Sequence, residues 1–343
     1  MPNHDVVAPR EATPLSFRVF ASWQSTLPLR GSPTQRGRPR TTVPPEKPPG
    51  YDRPMIGSST PSLRVRAAAT LSLPDIVALF NLAYSDYSVP MHLTQATLLR
   101  MLDLFALDLR ASRIGMARGA PAALALLGLR EQRAWLAGVG VVPAMRGRGF
   151  GTAITEAAIE QARAHEAREV WLEVLESNFA ARRIYDGLGF NTVRRLGVWV
   201  RPASHPGAVI ATPAESLRDC AAPEAFKLLA PQRRGRAPWQ RDSNALASGL
   251  PYYYGVVTGE LADPTAVALY SVAPEVVDVM EIVSCTRDPA QRHAGAILDG
   301  LIARYPERAL RMVNYAEDDP LIPLFAAAGA TVLWWQHEML LRG

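Results

Sequence analysis

The stretch that most restricts the fold is residues 134–165. An apolar run over 134–142 ends at Pro143, a loop crowded with Arg and Gly follows, and a helical pattern then runs from 149 to 165. Strand, glycine-rich loop and helix in that order require an α/β architecture. They also make an anion site. Glycines accept left-handed dihedrals and let a ligand approach the backbone. The free N–H groups and the dipole at a helix start favour negative charge. Arg146 and Arg148 can add charge-assisted hydrogen bonds and Thr152 a hydroxyl. The glycines at 147, 149 and 151 are spaced G-x-G-x-G, which is neither the dinucleotide fingerprint nor a P-loop.

The surrounding pattern fills out one mixed α/β unit. Strands are expected at 63–66, 112–117, 122–130, 134–142, 169–175 and 191–201, with a turn at 119–121. Helices are expected from Pro74 through Tyr84, from an N-cap at Thr94, over 149–165 and over 178–188. A proline-rich linker at 202–215 precedes a fainter repeat. Its strands are expected at 251–257, 265–272, 276–284, 309–314 and 331–341, and its helices at 290–305 and 321–328.

Residues 1–61 stand apart. They hold twelve of the 29 prolines, and eight Arg or Lys against four acids. That is a net +4 out of +5 for the whole chain, so the basic character belongs to the tail and not to a groove in the folded part. Such a segment is expected to be disordered. A nucleic-acid or membrane-surface arm or an Arg-rich transit peptide is the functional alternative to a plain leader or a start misplaced ahead of Met55, and the plain reading is favoured because composition identifies no partner. No apolar segment is long enough to span a membrane, and no signal-peptide core is present. Two cysteines make neither a disulfide framework nor a zinc site, and a reducing cytoplasm is the simplest expectation. The six histidines lack metal-ligand spacing, so no metal is expected, and no G-x-S-x-G elbow is present.

A second motif follows the loop: Leu172-Glu173-Val174-Leu175-Glu176-Ser177-Asn178, then Ala181, Tyr185 and Gly189-Phe190. The two motifs together resemble the GNAT superfamily of acetyl-CoA-dependent N-acyltransferases. Arg146, Gly149 and Gly151 match its Arg-x-x-Gly-x-Gly/Ala pattern, and Asn178, Ala181, Tyr185, Gly189 and Phe190 its later signature. The resemblance covers about residues 62–201. It implies two tandem GNAT-like domains, each a mixed, mostly antiparallel sheet with a splayed central strand pair, at 62–201 and 202–343.

The resemblance also assigns roles. The loop Arg146, Gly147, Arg148, Gly149, Gly151 and Thr152 would hold the pyrophosphate of acetyl-CoA. The pantetheine arm would lie beside Val141 and Val142, with the Val141 N–H as donor to the thioester oxygen. Asn178 would touch the same arm, and Tyr185 would protonate the departing thiolate. Many family members carry a Glu on the strand before the loop, and here 134–142 has no acid. Glu173 is the nearest replacement. Its Leu-Glu-Val setting and its distance in sequence from Tyr185 look like those of N-terminal acetyltransferases that act on ribosomal proteins. A Glu paired with Arg or solvent at a strand end is the competing reading. Tyr84, Asp86, Tyr87 and His92 fall where the acceptor pocket would be bordered. Trp135, Trp171 and Trp199 read as core or sheet-face residues.

In the second half His293 and Ile297 replace the two flanking loop glycines while Gly295 keeps the middle one, and Phe325 stands where Tyr185 does. That half is expected to be a degenerate copy which completes the acceptor pocket or a dimer surface. The expected reaction is acetyl transfer to a primary amine, on a small molecule or a protein N-terminus. A non-catalytic acyl-CoA-binding regulatory module is the alternative.

Overall fold

The computed structural model describes residues 62–203, 217–233, 235–287 and 291–343. The expected disorder of 1–61 and most of the proposed linker lie outside them. So does Pro289, the first residue of the second half's loop motif.

Twelve strands form one continuous sheet. They are β1 (Arg64–Ala67), β2 (Arg113–Ala117), β3 (Ala120–Arg130), β4 (Arg133–Val141), β5 (Glu169–Leu175), β6 (Asn191–Arg201), β7 (Arg218–Cys220), β8 (Tyr254–Glu260), β9 (Asp263–Val272), β10 (Val276–Ser284), β11 (Ala309–Ala316) and β12 (Thr331–Arg342). The helices are α1 (Leu73–Ala83), α2 (Gln95–Leu104), α3 (Phe150–Ala164), α4 (Phe179–Gly187), α5 (Ala222–Leu229), α6 (Ser243–Gly249), α7 (Arg292–Arg304) and α8 (Ile322–Ala327).

Local chemistry explains most boundaries. Ser72 and Thr94 cap α1 and α2 through their side-chain oxygens. The hairpin after β2 turns at Arg118-Gly119, both at positive φ, as a two-residue turn demands. The turn expected at 119–121 is therefore one residue early, and Pro121 lies inside β3, paired opposite Met116. Residues 216–250 carried no expectation, yet they supply β7, α5 and α6.

The halves do not keep separate sheets. The strand order is β1-β2-β3-β4-β5-β12-β6-β11-β10-β9-β8-β7. Each half gives its last strand to the other: β12 lies antiparallel between β5 and β6, and β6 pairs with β12 and β11. Both strands are thereby hydrogen-bonded along both edges, so no edge is left at the seam.

A second connection joins the halves. Residues 238–242, Pro-Trp-Gln-Arg-Asp, run as a buried strap along the seam. Trp239 enters the core built by α1, α2 and Trp135, stacks on Trp135 at 5.9 Å and donates to the Phe105 carbonyl at 2.9 Å. Asp242 accepts from Arg130 at 2.6 Å, and both side chains are nearly inaccessible.

Candidate active site

The strands β4 and β5 run parallel but pair only over Arg133–Trp135 and Glu169–Trp171. Beyond that point they part, and an extra residue on β4, Ala137, bulges the strand there. A wedge opens between them, as expected. On β4 the Val142 N–H donates to the Ala122 carbonyl at 2.9 Å. Antiparallel ladders alternate, so the groups of Val141 and Val139 face the other way, into the wedge. Two contacts agree. The Val141 carbonyl accepts from Arg146 at 3.0 Å and the Val139 carbonyl from the Tyr84 hydroxyl at 3.1 Å. The Val142 N–H is thus consumed in the sheet, which leaves the groups of Val141 to face the wedge. Val139, which the motif reading passed over, joins Val141; period-two alternation was the available signal. Helix α1 comes close enough to place Tyr84 because Gly140 has no side chain, and a Cβ there would meet Ala83 at 2.9 Å.

The loop has the geometry of an anion site. Gly147 and Gly149 sit at φ +72° and +77°, and a Cβ on either would meet nothing within 4 Å. Their requirement is conformational and the space above them is open. Among the described residues, the backbone N–H groups from Gly147 to Thr152 donate to no protein acceptor. Arg148 is exposed and Thr152 half-buried. Gly151 serves packing instead, since a Cβ would strike Ile184 at 2.8 Å. Arg146 departs from its expected role. Its guanidinium is bound to both carboxylate oxygens of Asp86 at 2.7 and 2.8 Å, to the Ala83 carbonyl and to Val141. It ties the loop to the end of α1, and its side chain is spent on that tie.

At the apex of the wedge lies a cavity of about 130 Å³. Glu173, Tyr185, Asn178, Tyr84 and Tyr87 all line it. His92 is not among the lining residues. Glu173 Oε2 accepts from the Trp135 indole at 2.8 Å and from Gln240 Nε2 at 3.0 Å. Its Oε1 is buried and has no partner. Burial pushes this carboxyl up to about 7, aided by the like charge of Glu338, which lies directly opposite on β12. Glu338 is itself held by Arg194 at 2.6 Å. The carboxylate paired with an arginine here is therefore Glu338, within β12, while Glu173 takes neutral donors. Trp135, read as a core residue, is also a donor to the buried carboxylate.

Tyr185 is buried on α4, packed edge-on against Phe190. Desolvation, with a smaller contribution from Tyr87, pushes its hydroxyl far above the usual phenol range, so it carries its proton throughout the neutral range. Asn178 caps α4 by accepting from the Ala181 N–H at 3.2 Å, and its amide points to the Tyr87 hydroxyl at 3.5 Å. Its position at the cavity matches expectation, though the cap occupies its oxygen.

One wall of the cavity comes from the second half, through Gln240, Arg311, Asn314 and Gln336. Motif reading could not find these residues, because they belong to no motif and reach the site only through the strand exchange and the strap. Phe325, which stands where Tyr185 does in the first half, is fully buried against Trp199 and Tyr315. The second half repeats the parallel pair as β10 and β11, which part after Val279 and Met312. There Arg241 bridges the two strands, donating to the carbonyls of Met280 and Asn314 and to Glu281. The described residues contain no group of three or more potential metal ligands, and no helix long and apolar enough to cross a membrane.

Residues 78–190 match the Acetyltransferase (GNAT) family. The chain carries a GNAT domain. The matched span begins in α1 and ends at Phe190, so it contains the loop, the wedge, Glu173 and Tyr185. The family is one of acyltransferases. Two curated relatives are [ribosomal protein bS18]-alanine N-acetyltransferases. The one from Haemophilus ducreyi is 35% identical over 79 residues, covering 22% of this chain and 54% of the relative. The one from Escherichia coli is 37% identical over 79 residues, covering 22% and 53%. The chain thus spans about half the length of the curated relatives it matches. Beyond the GNAT domain, the fold extends to larger relatives. A GCN5-related N-acetyltransferase from Sphaerobacter thermophilus superposes with a TM-score of 0.61 at 18% identity, over 82% of this chain and 95% of its own. A tandem GNAT protein from the clavulanic acid biosynthesis pathway gives 0.60 at 17% identity, over 82% and 98%. The fold of the tandem GNAT protein is therefore shared over 82% of this chain.

Proposed function

We propose that the protein transfers the acetyl group of acetyl-CoA directly to a primary amine, with the reacting groups in the cavity at the apex of the β4–β5 wedge. The observation that carries this is one carboxylate oxygen, Glu173 Oε1, buried without a partner in the same cavity as the protonated Tyr185.

Six free N–H groups at the start of α3, with open space above two left-handed glycines, fit a pyrophosphate. The wedge fits an extended arm beside the N–H groups of Val139 and Val141. When bound there, acetyl-CoA supplies the thioester to be attacked. An ammonium has no lone pair, so an acceptor must lose a proton, and a carboxyl that titrates near 7 is well matched to take it. A backbone N–H in the wedge can polarise the carbonyl oxygen. Tyr185 can return a proton to the leaving sulfur. Arg146 and Asp86 keep the loop against α1 so that these parts stay in register. The second half supports the site and, with Arg241 lodged where β10 and β11 part, is read as holding no acetyl-CoA of its own.

The acceptor is a small amine or a protein N-terminus. The named activity of the curated relatives makes a peptide with the bS18 N-terminal sequence the first acceptor to try. Calorimetric titration of residues 55–343 with acetyl-CoA should give one site per chain, lost in Gly149→Val. Thiol release should then depend on an amine and fall about 10²-fold or more in Tyr185→Phe, with acetyl-CoA affinity kept. Binding without amine-dependent release from any primary amine would favour the regulatory acyl-CoA-binding module. No binding would end both readings.

A further inference from the structure

Gln240 belongs by sequence to the second half, yet it is buried against the carboxylate of the first. A primary amide can offer either a donor or an acceptor to such a neighbour. Gln240 is held to one choice, because its Oε1 accepts from Asn314 Nδ2 at 3.2 Å and its Nε2 is left to face Glu173. Asn314 is held in turn, since its Oδ1 accepts from Gln336 Nε2 at 2.7 Å. Three side-chain amides thus run head to tail from β12 through β11 to the strap, each with its donor end toward Glu173.

The backbone is shaped to allow this. The register between β11 and β6 shifts between Met312 and Tyr315, and Asn314 within that bulge takes φ +58°. Asn is among the few residues that adopt this conformation readily. Arg241 pins the Asn314 carbonyl from the other side. The strap is immobilised at both ends, by Trp239 and Asp242 in the first half and by Arg241 in the second.

We propose that the second half holds the proton acceptor in place: Gln240, oriented by Asn314 and Gln336, engages Glu173 Oε2 so that Oε1 alone faces the cavity. This rests on the reading of Glu173 as the proton acceptor. Gln240 acts through Glu173 and is a positioning residue. The groups that face Glu173 are Trp135 on β4, Gln240 on the strap, Glu338 on β12 with its partner Arg194 on β6, and, across the cavity, Tyr84, Tyr87, Tyr185 and the Arg311–Asp278 pair. Trp135 and Gln240 donate to the charged carboxylate and favour it; burial and Glu338 oppose it. Removal of Gln240's donor must therefore raise the pH at which Glu173 ionises. A residue that merely filled space would leave it unmoved.

The test uses the full chain with 13C at the glutamate side-chain carboxyls, followed by NMR from pH 5 to 9. One resonance should titrate near 7 and vanish in Glu173→Gln. In Gln240→Met its midpoint should rise by about half to one pH unit, and in Asn314→Gly by less. Glycine takes the left-handed backbone at 314 without strain, so that variant decides the matter if Gln240→Met does not fold. An unmoved midpoint in a folded Gln240→Met, or in Asn314→Gly where it decides, overturns the proposal. Failure of the underlying reading looks different. If Glu173→Gln releases thiol from acetyl-CoA at the wild-type rate with amine present, Glu173 is not the proton acceptor. The proposal then falls with it, whatever the titration shows.

Discussion

Glu173 is costly to the fold and useful to the site for the same reason. Its carboxyl ionises near 7 in the folded chain and near 4.5 when exposed. A carboxyl raised on folding contributes stability that is complete below about pH 4.5 and is lost as pH rises through 7. Glu173→Gln keeps acceptors for Trp135 and Gln240 but cannot ionise. It should therefore abolish amine-dependent turnover and yet raise stability at pH 8 by about 1–3 kcal/mol, with no gain at pH 4. Thermal melts at the two pH values check this. In the wild type, activity should rise with pH around a midpoint near 7. Tyr185 should add no alkaline limb below pH 10, since its hydroxyl is pushed further up. Gly149→Val is a different kind of residue effect. Nothing crowds position 149, so the cost is the left-handed backbone alone, about 1–2 kcal/mol, together with loss of acetyl-CoA affinity in the titration.

Among elements, the strap does most to join the halves. Trp239 stacks on the indole that donates to Glu173, and Asp242 neutralises Arg130 inside the core. Trp239→Ala should cost about 3–5 kcal/mol through the cavity it leaves. Asp242→Ala should cost a similar amount by leaving Arg130 charged and unpaired. Urea unfolding with tryptophan fluorescence and circular dichroism measures both, and a loss under 1 kcal/mol for either would show that the strap is not a structural clamp. The strap was invisible to periodicity, since five residues with no repeat carry neither a helical nor a strand signal. The elements that were legible have long, regular patterns: 169–175 and 191–201 agree with β5 and β6 to the residue. Thr94 announced its helix because capping is a property of the local chain.

At the scale of the whole molecule, the strand exchange decides what can fold alone. Residues 62–201 look like a complete unit in sequence, but they lack β12, which covers the open edge of β5 and pairs with β6. Expressed alone, that fragment should be aggregated or lack a cooperative melt, because it exposes one edge of β5 and both edges of β6. Co-expression with 202–343 should recover a soluble complex. A soluble, cooperatively folding 62–201 would show that the exchange is dispensable. Hydrogen exchange offers a second check, with the β12 amides expected among the slowest in the chain.

What the sequence by itself determined is local or carried by motif. It specified the glycine loop whose backbone needs φ above zero, the helix starts, the patterns that mark every strand but β7, and the two linked motifs that point to the GNAT fold. The resemblance also put Tyr185 and Glu173 forward, Glu173 with the added argument that an acid between apolar neighbours on a strand is costly unless paired. Only the tertiary structure decided that Arg146 is bound to Asp86, that the Val142 N–H is spent on Ala122, and that Glu338 and not Glu173 takes the arginine. Only it showed that Gln240, Asn314 and Gln336 belong to the site. The physical reason is common to all of these. A hydrogen bond or ion pair between residues far apart in the chain depends on which strands become neighbours. Here two strands cross between halves that the sequence presents as separate.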